Sequence, residues 1–191
     1  HLYKHIPTQA GMGGGSSNCA YMIRLLNEMF SLGMSDEKMI GYAARLGADC
    51  AFFIKAQPAY AEGIGEKLQP ISIDLSGCKM LVVRPNIPVS TKEAFSLITP
   101  QVPKKNCLDI VRQPIETWKD ELVNHFERSV FAIHPEIGRL KEMMYEQGAV
   151  YAAMSGSGSS VFGLFSDTPD EKSFVGCMDE LSIFTIDMSD I

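Results

Sequence analysis

Gln9-Ala10-Gly11-Met12-Gly13-Gly14-Gly15-Ser16-Ser17-Asn18 is the most informative stretch of this sequence. Its three consecutive glycines lack Cβ atoms, so the backbone can adopt positive φ angles and approach a ligand closely. The apolar residues that follow have helical spacing, and Ser16 or Ser17 can serve as the N-cap of that helix. Because a helix N-terminus presents unpaired amides and a partial positive charge, the stretch predicts a polyphosphate-binding loop.

Two other phosphate-binding loops do not fit this stretch. A Walker A loop requires a lysine before the Ser or Thr, whereas Ser16 follows Gly15 directly. The dinucleotide fingerprint G-x-G-x-x-G matches at Gly11 and Gly13 but has Ser16 at the third glycine position. A flexible turn without a ligand is the alternative that the loop alone leaves open.

Asp49 is the candidate proton acceptor. It lies just after a predicted helix that begins at Ser35, and it precedes the apolar run 50–54. A carboxylate bordered by apolar residues is costly to desolvate unless it is paired or used. In phosphoryl transfer such an aspartate can accept or orient the proton of the acceptor hydroxyl. An aspartate that hydrogen-bonds the local backbone at a helix end explains the pattern equally well.

A second glycine-rich loop, Met154–Ser160, lies between two predicted strands. A two-residue hairpin does not need two glycines and four serines, so a functional loop is favoured over an ordinary hairpin. Its candidate residues are Ser155, Gly156, Ser157 and Gly158.

Composition narrows the function classes. The 191 residues are 46% hydrophobic and carry a net charge of −6, which indicates a globular core and disfavours a nucleic-acid-binding surface. Five cysteines without a C-x-x-C pair predict free thiols in a reducing cytoplasm. The 20 uncharged residues 147–166 have the length of a membrane span, but their Ser-Gly centre is too polar for one. We therefore expect a small-molecule partner, with neither nucleic acid nor membrane; the sequence does not predict the oligomeric state.

The order of predicted elements indicates an α+β protein. The predicted domains are 1–65 and 66–191, and the sequence leaves open whether the last strand returns to the first domain. A Pro- and Lys-rich surface loop is predicted at 99–106. The predicted strands are 2–6, 59–62, 79–83, 161–165 and 183–188, together with a strand before the second glycine loop. The predicted helices are one from Ser16 or Ser17 to Gly33, one from Ser35 to Gly47, a capped helix from Ser90 to Ile98, and helices at 114–126, 135–147 and 170–181.

Three segments together resemble the kinase superfamily of galactokinase, homoserine kinase, mevalonate kinase and phosphomevalonate kinase: the loop at 7–18, Gly47-Ala48-Asp49, and the Ser-Gly-Ser-Gly of the second loop. The blocks at 61–66, 89–95 and 154–165 resemble the branch that phosphorylates a cytidine-diphosphate-linked methylerythritol in the non-mevalonate isoprenoid pathway. The resemblance implies a two-layer α+β fold. Its N-terminal domain, like that of a ribosomal protein, would be incomplete here, and its C-terminal domain would be ferredoxin-like.

The resemblance also implies ATP as co-substrate, Mg²⁺ as metal, and transfer to the 2-hydroxyl of the substrate. Asp49 would be the catalytic base. Phe95 would lie against the cytosine ring with Thr91 and Lys55 near the substrate, although Phe95 could instead be core and Lys55 merely solvated. The residues that would hold ATP are Lys4, Pro7, Thr8, Gln9, Ala10, Gly11, Met12, Gly13, Gly14, Gly15, Ser16 and Ser17, with Ser17 also the candidate Mg²⁺ ligand.

The sequence departs from the family pattern in its N-terminal part. The family's catalytic lysine and its Gly-Tyr-His substrate motif do not occur in these residues. We therefore expect that an upstream segment is missing and that this chain alone has little turnover. Another kinase of the superfamily, or a nucleotide-binding paralogue without activity, is the alternative interpretation.

Overall fold

The computed structural model describes residues 1–178 and 180–190. It divides into two compact units, which we call the helical unit, Gly13–Ile73, and the sheet unit, His1–Met12 together with the chain from Asp74 onward. The division predicted from the sequence, 1–65 and 66–191, assigns residues 1–12 and 66–73 differently and stays a prediction.

The helical unit is built from three helices and a hairpin. It comprises α1 (Gly14–Met29), α2 (Asp36–Leu46), a 3₁₀ turn (Ala48–Cys50), α3 (Phe52–Lys55), and the antiparallel strands β1 (Ala59–Glu62) and β2 (Lys67–Pro70). The predicted start of α2 at Ser35 is confirmed, and the Ser35 hydroxyl caps the helix by accepting a hydrogen bond from the Lys38 amide. Small buried residues such as Ala20 and Ala43 allow the helices to pack closely.

Among the described residues, the sheet unit contains a four-stranded antiparallel sheet and five α-helices. In chain order its elements are β3 (Lys79–Arg84), α4 (Thr91–Phe95), α5 (Cys107–Ile110), α6 (Trp118–Glu121), α7 (Phe126–Ile133), α8 (Pro135–Glu146), β4 (Tyr151–Met154), β5 (Val161–Phe165) and β6 (Ser182–Asp187). The strand order is β4-β5-β3-β6. This is the ferredoxin-like arrangement, so the predicted α+β class is confirmed, and β6 belongs to this sheet through its pairing with β3.

One side of the sheet carries the core of this unit. Leu81 and Val83 of β3 are fully buried, as are Ile137, Leu140 and Met144 of α8. The three α8 residues recur at helical spacing, so one face of that helix lies on the sheet. The uncharged stretch 147–166 contributes β4 and β5 to this sheet, and no helix among the described residues is both long and apolar enough to cross a membrane.

Several predicted elements were wrong. Residues 2–6 form no strand, since no described strand pairs with them, and an unpaired strand leaves its backbone groups unsatisfied. β2 was not predicted at all. The helix predicted at 170–181 is only a 3₁₀ turn, Glu171–Phe174, and Gly176 is left-handed at φ 85°.

Three predicted helices have different bounds. α1 starts at Gly14 rather than at the serines, and it ends at Met29 because Phe30 leaves helical geometry and Ser31 has φ 48°. α4 ends at Phe95 instead of Ile98. The helix predicted at 114–126 is broken, because Leu122 adopts φ −88° and ψ 87° between α6 and α7.

A buried ion pair links α7, α8 and the end of β4. Glu127 is 7% exposed, and its carboxylate accepts hydrogen bonds from the Lys141 ammonium at 2.6 Å and from the Met154 amide at 2.9 Å. A carboxylate buried to this extent is stable only with such partners.

We predict that Glu127→Ala lowers the free energy of unfolding by about 3 kcal/mol or more, because it leaves a largely buried ammonium and a backbone amide unpaired. Urea unfolding followed by circular dichroism measures the change. Glu142→Ala is the control, since Glu142 pairs with Arg139 on the exposed surface and should cost less than about 1 kcal/mol. Equal losses in the two variants would contradict the assignment.

Candidate functional site

Within the sheet unit, the two glycine-rich loops contact each other. The Ser155 hydroxyl donates a hydrogen bond to the Gly11 carbonyl at 2.9 Å, and the Ser160 amide donates to the Ala10 carbonyl at 3.2 Å. The second glycine loop therefore does more than connect β4 to β5. It holds the part of the first loop that belongs to this unit.

Close backbone approach explains the glycines at this contact. A Cβ atom on Gly11 would lie 2.0 Å from the Ser155 carbonyl oxygen, and Gly11 has φ 72°. A Cβ atom on Gly156 would lie 3.2 Å from the Gly11 carbonyl oxygen. At Gly11 both the available space and the left-handed conformation require glycine.

A third segment, which lies immediately before α4, contacts the first glycine-rich loop. The Val89 amide donates to the Gln9 carbonyl at 3.4 Å, and the predicted capping box of Ser90 and Glu93 then starts the helix. Thr91 and Phe95, the candidate substrate residues, both lie on α4 and are exposed. The part of the predicted ATP loop up to Met12 and the candidate substrate residues Thr91 and Phe95 are thus on adjoining segments of this unit.

Phe95 is not a core residue in this structure. It is 57% exposed, and its ring packs edge-to-face on Phe126 with centroids 4.8 Å apart. α4 is further held by His134, whose ring lies 2.8 Å from the Glu93 carboxylate. One supported and one open side make Phe95 suitable for stacking on a planar ligand.

Asn124 is a residue of this region that the sequence analysis missed. Its side-chain amide donates to the Met154 carbonyl and to the Gly156 carbonyl, both at 2.7 Å. An asparagine just before a helix was the available signal, but the helix predicted at 114–126 concealed it. The partners of Asn124 lie 30 and 32 residues away, which no local pattern indicates.

In the helical unit, the remaining part of the first loop opens α1. Gly13 is the N-cap at φ 61° and has no side chain with which to cap the amides of the first turn. Those amides, on Gly14, Gly15 and Ser16, therefore lie at the positive end of a 16-residue helix. The Ser17 hydroxyl donates to the Gly14 carbonyl at 3.1 Å, which leaves its oxygen lone pairs available to a cation.

Asp49 lies in the 3₁₀ turn of the same unit and is exposed. Phe53 follows four residues later on α3, which begins at Phe52. A Cβ on Gly13 would lie 2.5 Å from the Phe53 ring, so the start of α1 lies against Phe53.

Asp49 was interpreted either as a proton acceptor or as an aspartate that hydrogen-bonds the local backbone at a helix end, and its surroundings bear on that choice. Its carboxylate makes no hydrogen bond or ion pair with any residue that the structure describes, which disfavours a purely local capping role. The backbone of Gly65 approaches it, since a Cβ there would lie 3.5 Å from Asp49 Oδ1. Its role as catalytic base stays a prediction.

The predicted lysines and the metal have less support. Lys4 is exposed in the irregular start of the sheet unit, and Lys55 ends α3. The backbone amide of Glu37 and the Ser35 hydroxyl are the larger causes that lower the pKa of Glu37, and Lys55 helps to lower it. Among residues 1–178 and 180–190 no cluster of three or more His, Cys, Asp or Glu could hold a metal. A magnesium ion carried mainly by substrate phosphates, with one hydroxyl ligand at Ser17, is compatible with that.

We predict that Gly11→Ala lowers the free energy of unfolding of the sheet unit by about 2 kcal/mol or more, because the new methyl group meets a backbone oxygen in a strained conformation. Gly77→Ala is the control in the same unit, since a Cβ there meets no atom within 4 Å. Denaturant unfolding compares the two. A tolerated Gly11→Ala would contradict the contact between the two loops.

Comparison with known proteins identifies the family. The GHMP kinases N terminal domain matches residues 1–57, and the GHMP kinases C terminal region matches residues 105–180. A 4-diphosphocytidyl-2-C-methyl-D-erythritol kinase of Bacteroides fragilis is 54% identical over 172 residues, which are 90% of this chain and 62% of that protein. The corresponding kinase of Bacteroides thetaiotaomicron is 53% identical over 165 residues, 86% of this chain and 60% of that protein. The chain thus spans 60–62% of the length of these curated relatives.

Solved structures agree with this grouping. A 4-(cytidine 5'-diphospho)-2C-methyl-D-erythritol kinase superposes with a TM-score of 0.67 and 30% identity, covering 85% of this chain and 60% of that one. A homoserine kinase from Cytophaga hutchinsonii, 14% identical, covers 95% of this chain and 67% of that one with a TM-score of 0.61, which shows likeness of fold alone. With both family regions matched over more than half of its length, the chain belongs to the GHMP kinases.

Proposed function

We propose that the protein containing this chain transfers the γ-phosphoryl group of ATP to the 2-hydroxyl of 4-diphosphocytidyl-2-C-methyl-D-erythritol. The names and identities of the relatives support this substrate over the acceptors of other GHMP kinases. The five cysteines, all free in the structure, support a reducing, cytoplasmic location.

The observation that carries the proposal is the glycine-rich loop and the helix that it opens. Its amides at Gly14, Gly15 and Ser16 lie at the N-terminus of α1, where an anion is favoured by both the unpaired donors and the helix dipole. The loop supplies these donors from the backbone, which suits a protein whose net charge is −6. A triphosphate is the ligand that this arrangement fits.

The remaining roles follow from the chemistry of phosphoryl transfer. Positioning and electrostatics supply most of the rate, and an aspartate near the acceptor hydroxyl takes or orients its proton. Asp49 is free of local partners among the described residues and suits that role. Magnesium, held through Ser17 and the phosphates, would neutralise charge on the transferred group. Phe95, with Thr91 beside it on α4, would stack on the cytosine ring.

A coupled ADP-release assay on the protein translated from the complete coding sequence tests this function. We expect turnover with the cytidine-diphosphate-linked methylerythritol that exceeds turnover with homoserine or mevalonate by at least about a hundredfold, because a site built for polar groups discriminates strongly against acceptors that lack them. Comparable rates with homoserine or mevalonate would contradict the assigned substrate. ATP binding without turnover on any acceptor would contradict the assignment as a kinase.

We predict that Asp49→Asn lowers kcat by about a hundredfold or more while the KM for ATP changes little, because the amide cannot accept a proton. Steady-state kinetics of the same full-length protein measures both constants. Asp36→Asn is the matched control, as Asp36 is an exposed acid in the first turn of α2. Full activity in Asp49→Asn would remove Asp49 from the chemistry and leave the substrate assignment standing.

A further inference from the structure

We infer that Asn124 is a positioning residue of the nucleotide site, because its side-chain amide sets the conformation of the second glycine loop and thereby of the first. This inference rests on the proposed function, since it concerns how the same site is held ready for ATP. The Asn124 side chain is uncharged, and no motif of the sequence pointed to it.

Both amide hydrogens of Asn124 are used on the second glycine loop. Its Nδ2 atom donates to the Met154 carbonyl, at the end of β4, and to the Gly156 carbonyl, two residues later, each at 2.7 Å. Its Oδ1 atom accepts from the Phe126 amide at 3.0 Å, which ties Asn124 to the start of α7. One side chain thus connects the first turn of a helix to the point where the strand becomes a loop.

A neighbouring residue restrains the same point from the other side. Glu127, one position further into α7 than Phe126, accepts a hydrogen bond from the Met154 amide. Met154 is therefore held at its N–H by Glu127 and at its C=O by Asn124. Because Glu127 is also paired with Lys141, this end of the loop is anchored in the core.

The bond to Gly156 has a consequence for the next amide. In a trans peptide the C=O and N–H groups point in opposite directions, so a carbonyl held by Asn124 turns the Ser157 N–H away from Asn124. That N–H has no acceptor among the residues that the structure describes. A free, oriented backbone amide is the kind of donor that a phosphate oxygen uses.

The same bond also fixes the contact between the two loops. Gly156 lies against the Gly11 carbonyl, and the Ser155 hydroxyl donates to that carbonyl. Releasing Gly156 would free both the second loop and its support of the first. ATP would then have to order these segments on binding, and the ordering cost would appear as weaker affinity.

Asn124→Asp is the sharpest test. Aspartate has the same size and keeps the acceptor for the Phe126 amide, but it replaces both donors by an oxygen that faces two carbonyl oxygens. We expect the Kd of a non-hydrolysable ATP analogue and the KM for ATP to rise about tenfold, the equivalent of two lost hydrogen bonds. Calorimetry and steady-state kinetics of the full-length protein measure them, with kcat at saturating ATP changed by much less.

Asn106→Asp is the matched control. The Asn106 side chain accepts from the Leu108 amide at 2.8 Å at the start of α5, so the variant makes the same chemical change at another helix start, outside both loops. Its Kd, KM and kcat should equal those of the unmodified protein. Asn124→Ser, which keeps a capping oxygen and loses both amide N–H donors, should repeat the rise in KM if Asn124→Asp does not fold.

The outcomes separate this inference from the proposed function. A merely structural role would lower the melting temperature and the active fraction, and hence the apparent kcat, while leaving Kd and KM for the nucleotide unchanged. That result would overturn the inference alone. An unmodified protein that does not bind the ATP analogue would overturn the proposed function and the inference together.

Discussion

The close approach of two backbone segments, Gly11 against Ser155 and Gly156, is the constraint on which the sheet unit's part of the site depends. The Ser155 carbonyl oxygen lies 2.0 Å from where a Cβ of residue 11 would be, so this geometry exists only with glycine at that position. It also requires that the second loop leave β4 in a defined direction. Hydrogen bonds of Met154 with Asn124 and Glu127 fix that direction, and Lys141 on α8 pairs with Glu127.

The proposed site takes its positive potential from the backbone. The loop from Pro7 to Ser17 contains no lysine or arginine, and the protein as a whole is acidic. The amides at the start of α1 are donors that carry no net charge and do not titrate. Under the proposed function, ATP must bind and ADP must then leave. Uncharged donors suit both steps, because release of the diphosphate leaves no unpaired charge in the protein.

Features that depend on neighbouring residues could be predicted from the sequence. The helix start at Ser35 and the capping box at Ser90 require only partners three residues away, and both are present. The glycines of both loops and Asp49 were singled out as candidates, because the conformational freedom of glycine and the chemistry of a carboxylate are properties of single residues; their functional roles stay predictions. The α+β class followed from the order of the elements.

Features that depend on distant partners could not be predicted. The break at Leu122 between α6 and α7 leaves Asn124 free to bond carbonyls 30 and 32 residues further along the chain. Residues 2–6 alternate like a strand, yet a strand forms only where another strand pairs with it. The early end of α1 depends on the positive φ of Ser31, which residue preferences do not indicate.

The most direct measurement is a crystal structure of the protein with a non-hydrolysable ATP analogue. The proposed function predicts phosphate oxygens within hydrogen-bonding distance of main-chain amides in the loop from Thr8 to Ser17, with the terminal phosphate directed toward the Asp49 carboxylate. An analogue bound elsewhere, or a terminal phosphate directed away from Asp49, would contradict it.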